Sequence, residues 1–410
     1  LEMPASVYGL PALVGPYFNL NNGVRNAYAS NHCRQAACPI ENWRYRKEKG
    51  ISIQNYTEIS PVKTIANHMT ISSGIVLRIL VMCHRYNQED SQGASKQLVE
   101  SGKVTTEFLD RMSNALGSDE EFKIPTMGNS RRKITADFSD INATTGMPNK
   151  NSMLTKGKAA IPKIHKSSDK KTGETILDDR TSIYSGMEPS MVYGMHEFRN
   201  EDDIQIRELN MIRTRQPVIG DKFSSRHGQK GVFGLIIPPN DMPFNSTGAI
   251  PDLIINPHSF PTRITIAQWI EGKLAEIYGF KCSSINSTVH SPIDINDVAN
   301  QLRELGLHED GTEQLFDPKT GIALATRVYS GMVYYQNVQK NTLDKRYVVE
   351  SGPTDIITRQ PLEGKSVDGG LRIGEMERDV LLAIGVTMFA MEKHYYHSNQ
   401  ETIYVCENCG

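Results

Sequence analysis

The chain has 410 residues, 38% of them hydrophobic and 22% charged, with a formal net charge of −2. That balance fits a folded protein with room for two or three cores, and it excludes a wholly disordered chain and a generic basic nucleic-acid coat. The longest apolar run, residues 380–391, has 12 positions and contains Gly385 and Thr387, too short to span a bilayer. Six cysteines, with Cys33, Cys38, Cys83 and Cys282 scattered singly, do not form a disulfide framework and point to a reducing compartment. No secretory leader pattern precedes the first element, and the chain runs from Leu1 to a Cys406-Glu407-Asn408-Cys409-Gly410 end, which reads as an internal fragment of a longer protein.

In chain order, residues 1–51 open with Pro4, Pro11 and Pro16 among apolar residues and read as extended and turn-rich. Alanines and spaced polar residues then predict a helix beginning near Arg25. Residues 74–82 read as a buried strand by length and β-branched content. Tyr86-Asn87-Gln88-Glu89-Asp90-Ser91 follows directly, and a helix is predicted over 92–100. Acids at such a position serve as helix caps and dipole partners, or as oxygen ligands of Mg²⁺.

Residues 103–207 form the least regular stretch. They contain Arg131-Arg132-Lys133 and six lysines between 156 and 171, which read as solvated loops. Residues 204–207 alternate as a strand. Residues 251–258 contain a short buried strand bounded by prolines, with His258 expected to be packed or backbone-bonded. Phe260-Pro261-Thr262-Arg263 opens a predicted helix running to about Tyr278, with Arg263 at its mouth, where a guanidinium fork suits phosphate. Residues 314–321 read as a turn between strands.

The organising stretch is Gly220-Asp221-Lys222-Phe223-Ser224-Ser225-Arg226-His227-Gly228-Gln229-Lys230-Gly231-Val232-Phe233-Gly234. Its glycines allow close backbone approach, and Lys222, Arg226 and Lys230 stand against one carboxylate, Asp221. By itself this is either a solvated turn or a cradle for a phosphate chain. It is not a P-loop: Gly364-Lys365-Ser366 is the nearest candidate, and Arg359 stands where the first glycine belongs.

Taken together, the 220–234 string, Arg25-Asn26-Ala27-Tyr28, Tyr86-Asn87-Gln88-Glu89-Asp90-Ser91, Pro261-Thr262-Arg263 and residues 359–379 are more specific than any one of them. They resemble the second-largest (β-type) subunit of multi-subunit DNA-directed RNA polymerases, in its eukaryotic, archaeal or large-DNA-virus spelling. The resemblance implies a mixed α/β fold. Residues 1–103 and 209–376 would form the two parts of a hybrid-binding domain built on a double-psi β-barrel, with a mainly β wall (flap) module inserted at 104–208. An anchor at 377–398 and the start of a clamp at 399–410 would follow.

The resemblance also implies roles. Lys222 and Lys230 face the growing RNA end and the incoming nucleotide, Glu89 and Asp90 help position a nucleotide-bound Mg²⁺, and Arg25 and Arg263 meet the triphosphate. Arg34, Gln35 and Lys345 lie along the RNA–DNA hybrid. Cys406 and Cys409 give half of a Zn²⁺ site. Three departures from the family pattern stand out: Lys158 where an aspartate is usual, Thr262 where serine is usual, and Arg346-Tyr347-Val348-Val349-Glu350 where relatives are more basic.

The implied activity is template-directed RNA synthesis inside the cell, in the nucleus or cytoplasm (or a virus factory), without a membrane. It needs the largest polymerase subunit, which carries the missing Asp-x-Asp-x-Asp metal cluster, together with other polymerase subunits, DNA template, RNA transcript and nucleoside triphosphates. The rival readings are a non-catalytic nucleic-acid-binding scaffold of the same fold and a nucleotide-dependent ligase or kinase.

Overall fold

The computed structural model describes residues 4–46, 48–125, 136–168, 175–339, 341–398 and 400–410. The Arg131-Arg132-Lys133 run, and Lys170 and Lys171 of the lysine tract, lie outside the described residues. The chain divides into two compact units, Leu1–Thr342 and Leu343–Gly410.

The larger unit is organised by a closed barrel of six strands: β1 (Gly74–Val81), β2 (Ser91–Ser95), β3 (Lys222–Ser225), β4 (Lys230–Ile237), β5 (Leu253–Ile255) and β6 (Val328–Asn337). Around the barrel the order is β3-β4-β2-β5-β1-β6, and β6 pairs back onto β3. The β4–β2 and β5–β1 pairs are parallel and the others antiparallel. Every second residue of β1 (Ile75, Leu77, Ile79, Val81) points into one core with Ala94, Phe223, Phe233, Leu253, Val333 and Tyr335. The Phe223 and Phe233 rings stack there at 4.3 Å.

The helix predicted over 92–100 is a strand followed by a short helix, Lys96–Glu100. Pairing with β4 on one side and β5 on the other overrides the local preference. The glycine-rich stretch is likewise a hairpin and not an open loop, with β3 and β4 joined through residues 226–229.

Two helices frame the hairpin. α1 (Gly23–Gln35) starts where the Asn22 side chain accepts the Val24 N–H, at 3.1 Å. α2 (Ile266–Phe280) buries Ala267, Gln268, Glu271, Leu274 and Ala275. It approaches β6 closely because a Cβ on Gly331 would lie 3.1 Å from the Gly272 Cα.

Residues 103–207 are far more regular than their composition suggests. Thr106–Ala115, Gln205–Arg215 and Ser190–Arg199 form the centre of an antiparallel sheet flanked by Ile51–Gln54 and Met153–Leu154. This sheet has its own core around Leu154, Ile161, Val192 and Leu209. Lysines expected in solvated loops are paired: Lys158 with Asp140, Lys163 with Glu120 at 2.7 Å, and Lys166 with Glu121 at 2.6 Å.

In the smaller unit, the apolar run is a helix, Glu375–Ile384, stopped by Gly385 in the left-handed region (φ 79°), then a second short helix, Thr387–Met391. No described helix is long and apolar enough to cross a membrane.

Candidate active site

The turn between β1 and β2 is folded by a buried asparagine. Asn87 accepts from the His84 N–H at 2.8 Å and donates to the Met82 carbonyl at 2.9 Å. This turn leaves Glu89 exposed in a left-handed conformation (φ 53°). Asp90 is tied by its backbone to the hairpin, since its carbonyl accepts the Val232 N–H at 3.1 Å.

Across the hairpin, Ser224 pairs with Lys230 and Lys222 with Val232. Lys222 and Lys230 are therefore diagonal neighbours on one face. The strand positions beside them carry no side chain for a steric reason. A Cβ on Gly231 would lie 2.1 Å from Gln92 Nε2, and one on Gly234 would lie 1.9 Å from Ser91 Oγ.

Arg263 lies in the turn ahead of α2, three positions before the first helical residue Ile266, so it is not inside the helix mouth. Its Nη1 donates to Asp90 Oδ1 and, at 3.0 Å, to Gln229 Oε1. Gln229 is held in turn, donating to the Ser259 carbonyl at 3.0 Å and Thr265 Oγ1 at 3.1 Å. Glu89, Asp90, Gln229, Lys230 and Arg263 line one small cleft. Arg25 joins it from α1: burial, and next the charge of Arg263, pull its guanidinium below the ordinary range, with Tyr28 and Asp90 opposing. Arg25, Glu89–Asp90, Lys222–Lys230 and Arg263, from four distant stretches, thus meet on one patch.

Arg226, grouped by sequence with the two lysines, is not part of it. It is buried (3% exposed) and pairs with Glu271 of α2, as does His227. A cation fully enclosed by a carboxylate is a structural tie, unavailable to a phosphate. Asp221 is also structural, accepting the Val218 and Thr342 N–H groups at 2.9 and 2.8 Å. His258, expected to be packed or backbone-bonded, is exposed, and its backbone N–H donates to Asn256 Oδ1 at 2.9 Å.

Arg34 is exposed near the end of α1, nine residues from Arg25 and so about 180° around the helix from it. Gln35 is half-buried on the same helix, and its carbonyl accepts the Gln339 N–H. Lys345 is an exposed residue of the smaller unit. Cys406 and Cys409, also there, are free and exposed.

Two side chains that sequence reasoning passed over sit in the patch. Tyr28 lies under both Arg25 (5.3 Å) and Lys230 (5.4 Å), and His32 is buried beside it. The signal for them is the spacing 25, 28, 32, which is one helical stripe.

Chemically, the patch offers half-buried cations for a polyanion and a carboxylate pair for a hard cation. Among the described residues no group of three or more His, Cys, Asp or Glu side chains is placed to hold a metal ion. Glu89 and Asp90 can therefore contribute to a Mg²⁺ site but not complete one, and one oxygen of Asp90 is already engaged by Arg263.

A family model described as RNA polymerase Rpb2, domain 6, matches residues 11–367, and one described as RNA polymerase Rpb2, domain 7, matches residues 369–410. The DNA-directed RNA polymerase subunit Rpo2 of Saccharolobus solfataricus is 30% identical over 427 residues, covering 99% of this chain and 37% of that protein. The DNA-directed RNA polymerase II subunit RPB2 of Schizosaccharomyces pombe is 30% identical over 424 residues, covering 99% of this chain and 35% of its own. The DNA-directed RNA polymerase III subunit RPC2 of Saccharomyces cerevisiae is 29% identical, with 99% of this chain and 37% of its own covered. The chain spans little more than a third of the length of these relatives.

Proposed function

The chain belongs to the RNA polymerase Rpb2 family, and on that premise we propose that it supplies half of an active centre for DNA-directed RNA synthesis. The observation that carries this reading is the convergence of Arg25, Lys230 and Arg263 with Glu89 and Asp90. Structural charges from four separate stretches have no reason to collect on one surface.

In this reading Arg25 and Arg263 bind the triphosphate, and Lys222 and Lys230 hold the RNA end and the nucleotide in line. Preorganised cations of this kind stabilise the charge that develops on a transferring nucleotide without reorganising during the reaction. Mg²⁺, when bound, neutralises phosphate charge and orients oxygens. Glu89 and Asp90 would supply part of its coordination, with phosphate oxygens, water and carboxylates of the largest polymerase subunit completing it. The partners are that subunit, further polymerase subunits, template DNA and the RNA transcript.

The six-stranded barrel is the hybrid-binding double-psi barrel, carried by residues 1–103 and 209–376. Residues 104–208 are the wall, 377–398 the anchor, and 399–410 the beginning of a clamp in which Cys406 and Cys409 share a Zn²⁺ with ligands from elsewhere in the full-length subunit. Arg34, Gln35 and Lys345 contact RNA or the hybrid.

The test is Lys230→Ala and Arg263→Ala in the assembled enzyme. Removing one such donor slows nucleotide addition about 10²–10³-fold. Loss of an ordinary phosphate contact instead changes the salt slope of DNA binding by about one unit. Variants that elongate at the parental rate with saturating nucleotide, and lose only DNA affinity, would leave a non-catalytic scaffold as the correct reading.

A further inference from the structure

α1 and the hairpin approach each other without a side chain between them at Gly228. A Cβ there would lie 2.4 Å from the Arg25 carbonyl oxygen. One side chain then bridges the two elements beside that contact. His32 is 4% exposed, and its Nδ1 lies 2.9 Å from Ser224 Oγ on β3, the residue opposite Lys230. The Ser224 Oγ also lies 3.1 Å from the Ser225 carbonyl oxygen, within hydrogen-bond reach. One hydrogen bond between the imidazole and the Ser224 hydroxyl thus ties α1 to β3.

On its other side the imidazole lies nearly parallel to the Tyr28 ring, with centroids 6.3 Å apart and planes 19° apart. That same ring lies beneath the Arg25 guanidinium and the Lys230 ammonium, one from each element. Burial, and then the charges of Lys222, Lys230 and Arg25, push His32 down to about 4, so the ring stays neutral at physiological pH. A protonated imidazole in its place would be a further cation among these three.

We infer that His32 is a positioning residue of the cationic patch. Held by Ser224 on one side and lying along Tyr28 on the other, it fixes the aromatic face that Arg25 and Lys230 share. It touches no substrate itself; it sets where the two cations stand when a triphosphate arrives. This rests on the nucleotide-binding role proposed above. The part of His32 that matters is the flat ring, since a ring of similar size without nitrogen keeps the contact with Tyr28 and Ser224 keeps its bond to Ser225.

The experiment uses the assembled polymerase and single-turnover addition over a range of nucleotide concentrations, with His32→Ala, His32→Gln, His32→Phe, Tyr28→Ala, the His32/Tyr28 double alanine variant and Lys230→Ala. His32→Ala and His32→Gln should raise the half-saturating nucleotide concentration about three- to tenfold, the range of one aromatic contact, with the saturating rate within about twofold of the parent. His32→Phe should return to within about threefold. The double variant should be no worse than Tyr28→Ala, because both changes remove the same platform.

If the alanine variant does not assemble, the comparison of Gln with Phe decides. Equal behaviour of the two overturns the inference. So does a His32→Ala enzyme with parental half-saturation beside an impaired Lys230→Ala enzyme, which leaves the proposed function standing. Parental behaviour of Lys230→Ala removes both.

Discussion

Arg263 closes on Asp90 across 173 positions of chain, and the pair is part-exposed, with 20% and 39% of the two side chains accessible. Each partner is a group that the proposed reaction needs elsewhere: the carboxylate for a metal, the guanidinium for phosphate. Without substrate the two satisfy each other, so metal and triphosphate must separate them.

That competition has a sign. Asp90→Asn removes a carboxylate and should raise the Mg²⁺ concentration for half-maximal nucleotide addition. Arg263→Gln releases the carboxylate and should lower it, although both variants add nucleotide more slowly. Pairs of this exposure are worth under about 1 kcal/mol, so each shift should be about two- to fivefold. Mg²⁺ titrations at saturating nucleotide check this, and shifts in the same direction would end the competition argument.

Gly228 tests the contact between α1 and the hairpin. It adopts φ 74°, and an added Cβ would meet backbone, the Arg25 carbonyl, and not the end of a flexible side chain. Gly228→Ala should destabilise the chain by about 1–3 kcal/mol from the backbone conformation alone. It should also displace Arg25 from the patch. Denaturant midpoints read the first effect and nucleotide half-saturation in the assembled enzyme the second. Unchanged values of both would show that α1 is not seated here.

Cys406 and Cys409 have the spacing of a metal knuckle, yet no third ligand joins them among the described residues. A closed tetrahedral site needs four ligands, and an incomplete one adds little to folding. The 410-residue chain should therefore lose zinc on dialysis against a moderate chelator, and Cys406→Ser should leave its melting temperature unchanged. One tightly held zinc per chain would require two more ligands, with His394 and His397 the first to examine.

How much of this was legible in the sequence depends on how far each residue's partner lies along the chain. The length and β-branched content of residues 74–82 mark a buried strand by themselves, and the structure has it at Gly74–Val81. Residues 92–100 read as helix because their strand character comes from neighbours over 100 positions away, β4 and β5. The site shows the same division. Lys230 and Arg263 were singled out by their motifs. Arg226, in the same string, differs because residues far along the chain, Glu271 45 positions on together with Ser60, the Val62 carbonyl and the Tyr334 ring, bury and pair it. Nothing local distinguishes a buried cation from an exposed one. His32 was missed because its meaning comes from Ser224, 192 positions away.

The buried groups also set the response to acid. Burial alone would raise the Glu271 carboxyl, but Arg226 and His227 override it and hold it at about 2, against an ordinary value of 4.5. His32 is held at about 4, against 6.5. In both cases the unfolded chain binds a proton that the folded chain refuses, so stability falls as pH falls. The His32 contribution is complete above about pH 6.5 and is lost down to about pH 4; that of Glu271 is complete above about pH 4.5 and is lost toward pH 2. Each group adds at most about 1.4 kcal/mol per pH unit within its window. His32→Phe should therefore flatten the dependence of the denaturation midpoint between pH 6.5 and 4.5 and leave the steeper acid limb in place. Glu271→Gln should act differently. It strands Arg226 without a charge partner, which costs about 3–5 kcal/mol at neutral pH, and it removes the limb below pH 4.5. Urea denaturation of the parent and both variants from pH 7 to pH 3 separates the two windows. A His32→Phe profile parallel to the parent between pH 6.5 and 4.5 would show that the imidazole is not held neutral by its surroundings.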